Sequence, residues 1–283
     1  MHIKALATLI ILFFSYTSVF SADDTKVKKI VLDAGHGGDK PGAIGHFSKE
    51  KDIALSVTLL VGDLIKKNLS DRQVIYTRTT DVDVHWVERH EIANRAKADL
   101  FVSIHVNSTP GTRTKVRSGY RTIKKNGKSV KVPRYVYKYD KATDANGTET
   151  YVLGLSRNSQ KEESIGEYSD NLAGGEKEGL MDEKDPMTAI IIAQYSQAFL
   201  TSSVDLGTRI QGNFAKQGRL DRGVKQISVE VLAGCVMPGV LVEIGFINNV
   251  EEEKYMNSPQ GQTEIAHAIY NGILEYIKAV EKR

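Results

Sequence analysis

The stretch Val31-Leu-Asp-Ala-Gly-His-Gly-Gly38 decides the fold, because an apolar run ends here in a histidine set between glycines. Lys28–Ala34 has the apolar, β-branched composition of a strand. The glycines that follow allow a tight bend, so the imidazole of His36 can face whatever binds at the end of the strand. The stretch therefore predicts a strand that delivers a histidine to one edge of a sheet.

Strands and helices alternate through the first half of the chain. Helical spacing of apolar residues predicts a helix over Glu50–Leu69, with Ser48 as its N-cap, and Gln73–Thr79 is a second predicted strand. A second helix is expected over Trp86–Lys97 and a third strand over Asp99–Asn107. This alternation is typical of a largely parallel sheet covered by helices.

The second half continues in the same way. It contains three further predicted strands and two long amphipathic helical patterns. The strands are Gly147–Gly154, Ser228–Val231 and Gly239–Phe246, and the helices are Met187–Phe214 and Gln260–Val280.

Four polar residues lie where polar groups are costly. His36 and His105 end the first and third strands, at the sheet edge where parallel sheets bind ligands, and Glu50 opens the first helix. Two histidines and a carboxylate are a hydrolytic zinc set with one position left for water, whose pKa the metal lowers to about 7. Glu243, inside the apolar strand VLVEIGFI, is the candidate that carries the water's proton to the leaving group.

Spacing alone leaves other interpretations open. A histidine at the end of a strand is often structural, and Glu50 also suits a helix N-terminus. Glu243 can instead pair with an arginine such as Arg89 or Arg219.

The N-terminus predicts a secretory leader over residues 1–21, with an apolar run at Ala5–Phe14 and cleavage after Ser21. The alternative is a membrane anchor, but this run is shorter than the roughly 20 residues that span a bilayer. We therefore expect a periplasmic or secreted protein whose folded domain covers residues 26–283. The single cysteine, Cys235, allows no internal disulfide, so such a protein draws its stability from its core or from a metal.

A basic segment interrupts this pattern. Eleven Lys/Arg residues and one acid, Asp140, lie between Arg113 and Lys141, whereas the whole chain carries a net charge of only +3. Alternating tyrosines suggest a β-hairpin, which we interpret as an insertion over about 108–146. The segment is either a solvated loop or a binding surface for an anionic polymer. Nucleic acid is not an expected partner, because the chain has no nucleic-acid-binding motif.

Several stretches, in one order along the chain, resemble the zinc-dependent N-acetylmuramoyl-L-alanine amidases that split peptidoglycan. The stretches are IVLDAGHGGDKPGAIG (Ile30–Gly45), KEKDIAL (Lys49–Leu55), YTRTTD (Tyr76–Asp81), Glu88–Asn107 with its ADLFVSIHVN end, GTETYVLG (Gly147–Gly154) and VLVEIGFINN (Val240–Asn249).

The resemblance implies one α/β domain with about six strands. By position, His36, Glu50 and His105 are similar to the family's zinc ligands and Glu243 to its catalytic glutamate. Arg89 and Asn94 fall in a helix where the resemblance implies structural support.

Two segments depart from the compact members of the family. The basic insertion is longer and is expected to cover or extend the substrate groove. Residues 156–197 are similar to an extra segment of periplasmic amidases, in which a helix occludes the zinc until an activator protein moves it. The acids available as a plug are Glu162, Glu163, Glu176, Glu178, Asp182, Glu183 and Asp185.

The expected function is zinc-dependent hydrolysis of the amide between the muramoyl lactyl group and L-alanine, with Zn²⁺ as cofactor, peptidoglycan as substrate and an activator as partner. The alternatives are another zinc peptidoglycan peptidase, either a carboxypeptidase or an endopeptidase, and a catalytically inactive cell-wall-binding regulator.

Overall fold

A six-stranded sheet forms the centre of the molecule in the computed structural model, which describes residues 26–110, 112–125, 128–140, 142–157, 159–165 and 186–282. The strand order is β2-β1-β3-β8-β6-β7. The six strands are β1 (Lys29–Ala34), β2 (Gln73–Tyr76), β3 (Leu100–Asn107), β6 (Thr148–Leu153), β7 (Asp221–Ile227) and β8 (Gly239–Phe246). A separate two-stranded sheet contains β4 (Thr112–Lys125) and β5 (Lys128–Asp140).

The helices connect and cover these strands. They are α1 (Glu50–Asn68), α2 (Trp86–Arg95), α3 (Pro186–Lys216), α4 (Glu230–Ala233), α5 (Val250–Asn257) and α6 (Pro259–Val280), with a further helical segment at 159–165.

Parallel pairing dominates the large sheet. β1 pairs in parallel with β2 and β3, β3 with β8, and β6 with β7, whereas β6 and β8 run antiparallel. The prediction of one α/β domain with a mostly parallel sheet of about six strands is therefore confirmed.

Two apolar clusters cover the two faces of the sheet. Alternate residues of the strands point to opposite faces, so Leu32 and Val102 join a large cluster with α1, α3 and α6. Val31 and Phe101 join a smaller cluster with α2, α4 and Cys235. Because both faces are buried, the central strands are almost continuously apolar, apart from the few polar groups that form the site.

Two local predictions are wrong. Ser48 does not cap α1; its Oγ instead donates to Glu253 at 2.7 Å, and the N-cap position belongs to Lys49, without a side-chain bond. Ser228–Val231 is not a strand, because β7 ends at Ile227 and α4 begins at Glu230. Its alternating valines favour a strand locally, but Val231 and its two successors are all buried, which a helical turn packed in the smaller cluster achieves.

The basic insertion is the predicted hairpin. β4 and β5 pair antiparallel from Thr112–Asp140 at the base to Lys125–Lys128 at the tip, with a register shift between Arg117 and Gly119.

Some predicted segments lie outside the described residues. These are the leader over 1–21 and the middle of the 156–197 segment, including five of the seven acids named as plug candidates. Within the described part of the chain, no helix is both long and apolar enough to cross a bilayer.

Two helical glycines give a matched test of the packing between α3 and α6. A Cβ added at Gly272 would lie 2.6 Å from Cα of Ile210, whereas one added at Gly212 would meet no atom within 4 Å. We expect Gly272→Ala to lower the free energy of unfolding by about 1–3 kcal/mol through overpacking. Gly212→Ala should raise it by roughly 0.5–1 kcal/mol, because alanine favours the helix. Urea unfolding measures both, and equal effects would contradict the packing described.

Candidate metal centre

The loop after β1 holds His36 in an unusual backbone conformation. His36 has φ of +58°, a left-handed value that is uncommon for a residue other than glycine. The guanidinium of Arg78 donates to the carbonyls of Ala34 and Gly35 at 2.9 and 2.8 Å. Arg89 donates to the carbonyl of His36 itself at 2.7 Å. These bonds fix the strained loop and hold the imidazole at the sheet edge.

Glu50 joins the two histidines. Its Oε1 lies 2.8 Å from Nδ1 of His105 and 3.2 Å from Nε2 of His36. The same oxygen accepts from the amide of Val106 at 3.0 Å, and Oε2 accepts from the amide of Ala43 at 2.7 Å. The glutamate at the start of α1 is therefore held by the backbone of β3 and by the loop that precedes α1.

Two glycines leave room for this cluster. A Cβ on Gly35 would lie 2.5–2.7 Å from the imidazole of His105. A Cβ on Gly42, whose φ is +69°, would lie 2.4 Å from Oε2 of Glu50 and 2.6 Å from the ring of His36. Any other residue at these positions would push the polar side chains apart.

The register of the sheet brings Glu243 to the same edge. His105 on β3 pairs with Glu243 on β8, and Glu243 pairs with Glu149 on β6. Three adjacent strands thus carry a histidine and two carboxylates in one row. Glu149 was not among the predicted site residues, although it lies within the GTETYVLG stretch.

Glu243 is the carboxylate of this row that forms no ion pair with a described residue. Its buried Oε2 has no hydrogen-bond partner among the described residues. Burial raises the pKa of Glu243 well above its ordinary value, and the charges of Glu50 and Glu149 raise it further. Neither arginine considered as its partner pairs with it, because Arg89 pairs with Asp33 and Arg219 with Glu252.

Glu149, by contrast, is surrounded by donors. Arg222 and Lys225 of β7 form ion pairs with its Oε1, and the hydroxyl of Tyr151 donates to its Oε2. Burial alone would raise the pKa of Glu149, but the hydrogen bonds of these three groups outweigh burial, and the pKa is lowered. Glu149 is therefore ionised, and the charges of Arg222 and Lys225 balance its own.

The pKa of Glu50 moves in the opposite direction from that of Glu243. Burial favours its neutral form, yet the hydrogen bonds from His105 and His36 outweigh burial and hold the pKa of Glu50 well below its usual range. The carboxylate is thus ionised beside the two imidazoles.

The donor set fits a divalent metal of the zinc type. One ligand atom from each of His36, Glu50 and His105 lies within 4.8 Å of the others. Ligand atoms on one tetrahedral zinc at 2.0–2.1 Å are about 3.3 Å apart, close to the Glu50–His36 separation of 3.2 Å. The side chain of His36 is 34% exposed and that of Glu50 5%, so the cluster is reached from the histidine side.

The cluster opens into a groove. Residues on its walls include Trp86 at the start of α2, Tyr151 on β6, Arg157, Val229 and Lys40. The groove combines an aromatic ring and apolar surface with cations beside the polar cluster. Asp83 and Glu230 also line it, so the groove offers partners for polar groups of either charge.

Two supporting residues were not predicted from the sequence. Asp33 is fully buried and accepts from Arg89 at 2.7 Å and from the hydroxyls of Thr77 and Ser103 at 2.6 Å each. Arg78, in the YTRTTD stretch, also donates to the carbonyl of Lys51 at 2.8 Å. Asp33 can be found from the sequence, because it is an acid inside the apolar strand β1. Arg78 bonds to backbone carbonyls, which no side-chain pattern reveals.

Arg89 and Asn94 occupy supporting positions. Arg89 joins Asp33 to the loop that carries His36. Asn94 donates to the carbonyl of Gly234 at 2.9 Å and accepts from the amide of Val236 at 3.1 Å, which ties α2 to the segment after α4.

A protein-family model described as N-acetylmuramoyl-L-alanine amidase matches residues 30–275. A probable N-acetylmuramoyl-L-alanine amidase, AmiB of Haemophilus influenzae, is 31% identical over 278 residues, which cover 94% of this chain and 56% of that protein. The N-acetylmuramoyl-L-alanine amidase AmiC of Escherichia coli is 28% identical, over 87% of this chain and 52% of that protein. The chain thus spans about half the length of these two curated relatives.

The fold also matches a solved structure. The crystal structure of an N-acetylmuramoyl-L-alanine amidase from Clostridium difficile aligns with a TM-score of 0.58 and 23% identity, over 90% of this chain and 98% of that one. At this identity the match supports the fold alone.

The buried ion pair between Arg89 and Asp33 can be tested against an exposed pair on the same helix. Arg89→Met keeps an apolar stem but leaves Asp33 buried without its cation, and should lower the free energy of unfolding by about 3–5 kcal/mol. Arg95, which pairs with Glu91 at 3.0 Å in solvent, is the control. Arg95→Met should change stability by less than about 0.5 kcal/mol in the same urea titration. Similar losses in the two variants would contradict the role given to Arg89.

Proposed function

Because the chain belongs to the N-acetylmuramoyl-L-alanine amidase family, we propose that it hydrolyses the amide bond between N-acetylmuramoyl and L-alanine in peptidoglycan. One observation carries the proposal at the level of residues. The buried Oε2 of Glu243, which has no hydrogen-bond partner in the part of the chain that the structure describes, lies in the sheet row of His105, beside the cluster of His36, Glu50 and His105.

In this proposal, His36, Glu50 and His105 hold a zinc ion. Bound zinc would act as a Lewis acid toward the amide carbonyl and lower the pKa of the attacking water. Glu50 contributes the single negative charge among the three ligands, and the amides of Ala43 and Val106 keep its carboxylate in place. The glycines at 35 and 42 leave the space that the ligands occupy.

Glu243 is the proposed general base and acid. Its carboxylate takes the proton of the attacking water and returns it to the nitrogen of the departing alanine. The absence of an ion-pair partner among the described residues suits this role, because a carboxylate locked to an arginine would hold its charge and not exchange protons. Glu149 stays ionised through Arg222 and Lys225 and keeps a negative charge next to Glu243.

The groove supports a peptide substrate that carries charge. Lys40 on its wall can attract a carboxylate of a stem peptide, and Trp86 offers apolar surface, whereas Arg157 already pairs with Glu230. The leader expected over residues 1–21 would direct the chain out of the cytoplasm, to the compartment of peptidoglycan.

Substitution of Glu243 separates proton transfer from metal binding. Glu243→Gln removes the proton acceptor without removing a metal ligand, so the turnover number should fall by about 10²–10⁴-fold, while zinc content is unchanged. Glu251→Gln, at a side chain that is 82% exposed, is the matched control and should leave both quantities unchanged. The assay follows stem peptide released from a defined muropeptide by mass spectrometry.

The rate and the products give this test two distinct failures. A normal rate in Glu243→Gln would overturn the role of that residue. Release of single amino acids or cross-bridge fragments, with the lactyl–alanine amide intact, would instead identify a carboxypeptidase or an endopeptidase.

Removal of a histidine should abolish metal binding. We expect His105→Ala to purify with almost no zinc, because two protein ligands bind the ion far more weakly than three. His267→Ala, at an exposed position on α6, should retain the native zinc content. Atomic absorption of the purified proteins measures this directly, and full zinc occupancy in His105→Ala would exclude His105 as a ligand.

A further inference from the structure

The basic ribbon, formed by β4 and β5, has a charge pattern that the proposed reaction does not use. Side chains are described for 117–124 and 128–135. These stretches contain six cationic residues and no acidic residue, and all six cations are exposed. No ion pair between described residues involves them. The six are Arg117, Arg121, Lys124, Lys128, Lys131 and Arg134.

Apolar and aromatic groups are exposed on the same ribbon. Tyr120 is 58% exposed, Tyr135 49% and Val130 40%. The guanidinium of Arg117 lies 5.3 Å from the ring centroid of Tyr120, so cation and ring share one surface. A polymer that carries only charged groups would use the cations alone. The interface of an anionic bilayer binds cations at its phosphates and also accepts tyrosine rings and aliphatic side chains.

The architecture of the ribbon also indicates a partner. β4 and β5 form a sheet of their own and pair only with each other among the described strands. A two-stranded ribbon without a third strand or a covering helix is marginally stable in water. An exposed ribbon of 14 and 13 residues therefore gains stability from a surface that it can lie on.

We propose that the basic ribbon binds the surface of a membrane rich in anionic phospholipids. The phosphates of the headgroups meet the lysines and arginines, while Tyr120, Val130 and Tyr135 enter the interfacial layer. The ribbon begins at Thr112, shortly after β3 ends at Asn107 on the edge that carries His105. This inference is independent of the proposed reaction.

The test uses the purified full chain and sedimentation with lipid vesicles at low salt. The protein should bind phosphatidylcholine vesicles that contain phosphatidylglycerol, and should not bind vesicles of phosphatidylcholine alone. Binding should weaken as salt is raised, because screening acts on exposed charges.

Three variants separate charge, apolar contact and nonspecific attraction. The ribbon charge variant, Arg121→Gln with Lys128→Gln and Lys131→Gln, should bind about a hundredfold more weakly, at about fivefold for each cation removed. The apolar variant, Tyr120→Ser with Val130→Ser, should bind about tenfold more weakly although its charge is unchanged. The control is Lys67→Gln with Arg95→Gln and Lys278→Gln, which removes three exposed cations outside the ribbon and should bind like the native chain.

Far-UV circular dichroism and thermal unfolding establish that each variant is folded. Failure of the native chain to bind anionic vesicles would overturn the proposal. So would equal weakening by the control variant, which would indicate attraction by net charge. A third outcome would also overturn it: the apolar variant binds vesicles as tightly as the native chain does, and the native chain binds soluble polyphosphate tightly. The ribbon would then be a site for an anionic polymer.

Discussion

The parallel register of β1, β3 and β8 is the constraint on which the candidate centre depends. Ala34 pairs with Ile104, and the next residue of β3, His105, pairs with Glu243. Parallel strands end at the same edge of a sheet. His36, which follows β1, and His105, near the end of β3, therefore come together although they are far apart in the sequence. A shift of one residue in β3 would turn His105 to the opposite face of the sheet. The apolar residues that alternate with it would then lose their places in both clusters, so the core enforces the register of the site.

The loop between β1 and α1 depends on a second constraint, which is the clamping of its carbonyl groups by buried guanidinium groups. The left-handed conformation of His36 costs on the order of 1–3 kcal/mol. Hydrogen bonds to charged groups contribute about 1.5–3 kcal/mol each, and Arg78 and Arg89 donate several to this loop. Asp33 keeps the charge of Arg89 compensated inside the sheet. Strain at the candidate ligand is thus balanced by two guanidinium groups that bond to the backbone carbonyls of the loop.

Polar residues inside apolar strands were the informative signal in the sequence. They mark His105 and Glu243 as candidates, and Asp33 inside β1 carries the same signal. The supporting arginine Arg78 was beyond reach, because its partners are backbone carbonyls that only the fold brings together. Local β propensity failed at Ser228–Val231, where burial of successive residues requires a helical turn. The order and type of the long elements were predictable because each has a buried face with a clear period.

The charges at the sheet edge give the strongest physical argument for a bound cation. Three carboxylates, Glu50, Glu149 and Glu243, influence one another across a partly buried site. Glu149 is balanced by Arg222 and Lys225, and Glu50 accepts hydrogen bonds from two imidazoles. Neither Glu50 nor Glu243 forms an ion pair with a lysine or an arginine of the described residues. We infer that a divalent cation between the imidazoles and Glu50 would balance this charge, favour the ionised form of Glu243 and so prepare Glu243 to accept a proton. An arginine in that place would supply one positive charge instead of two and would fill the position proposed for the substrate carbonyl.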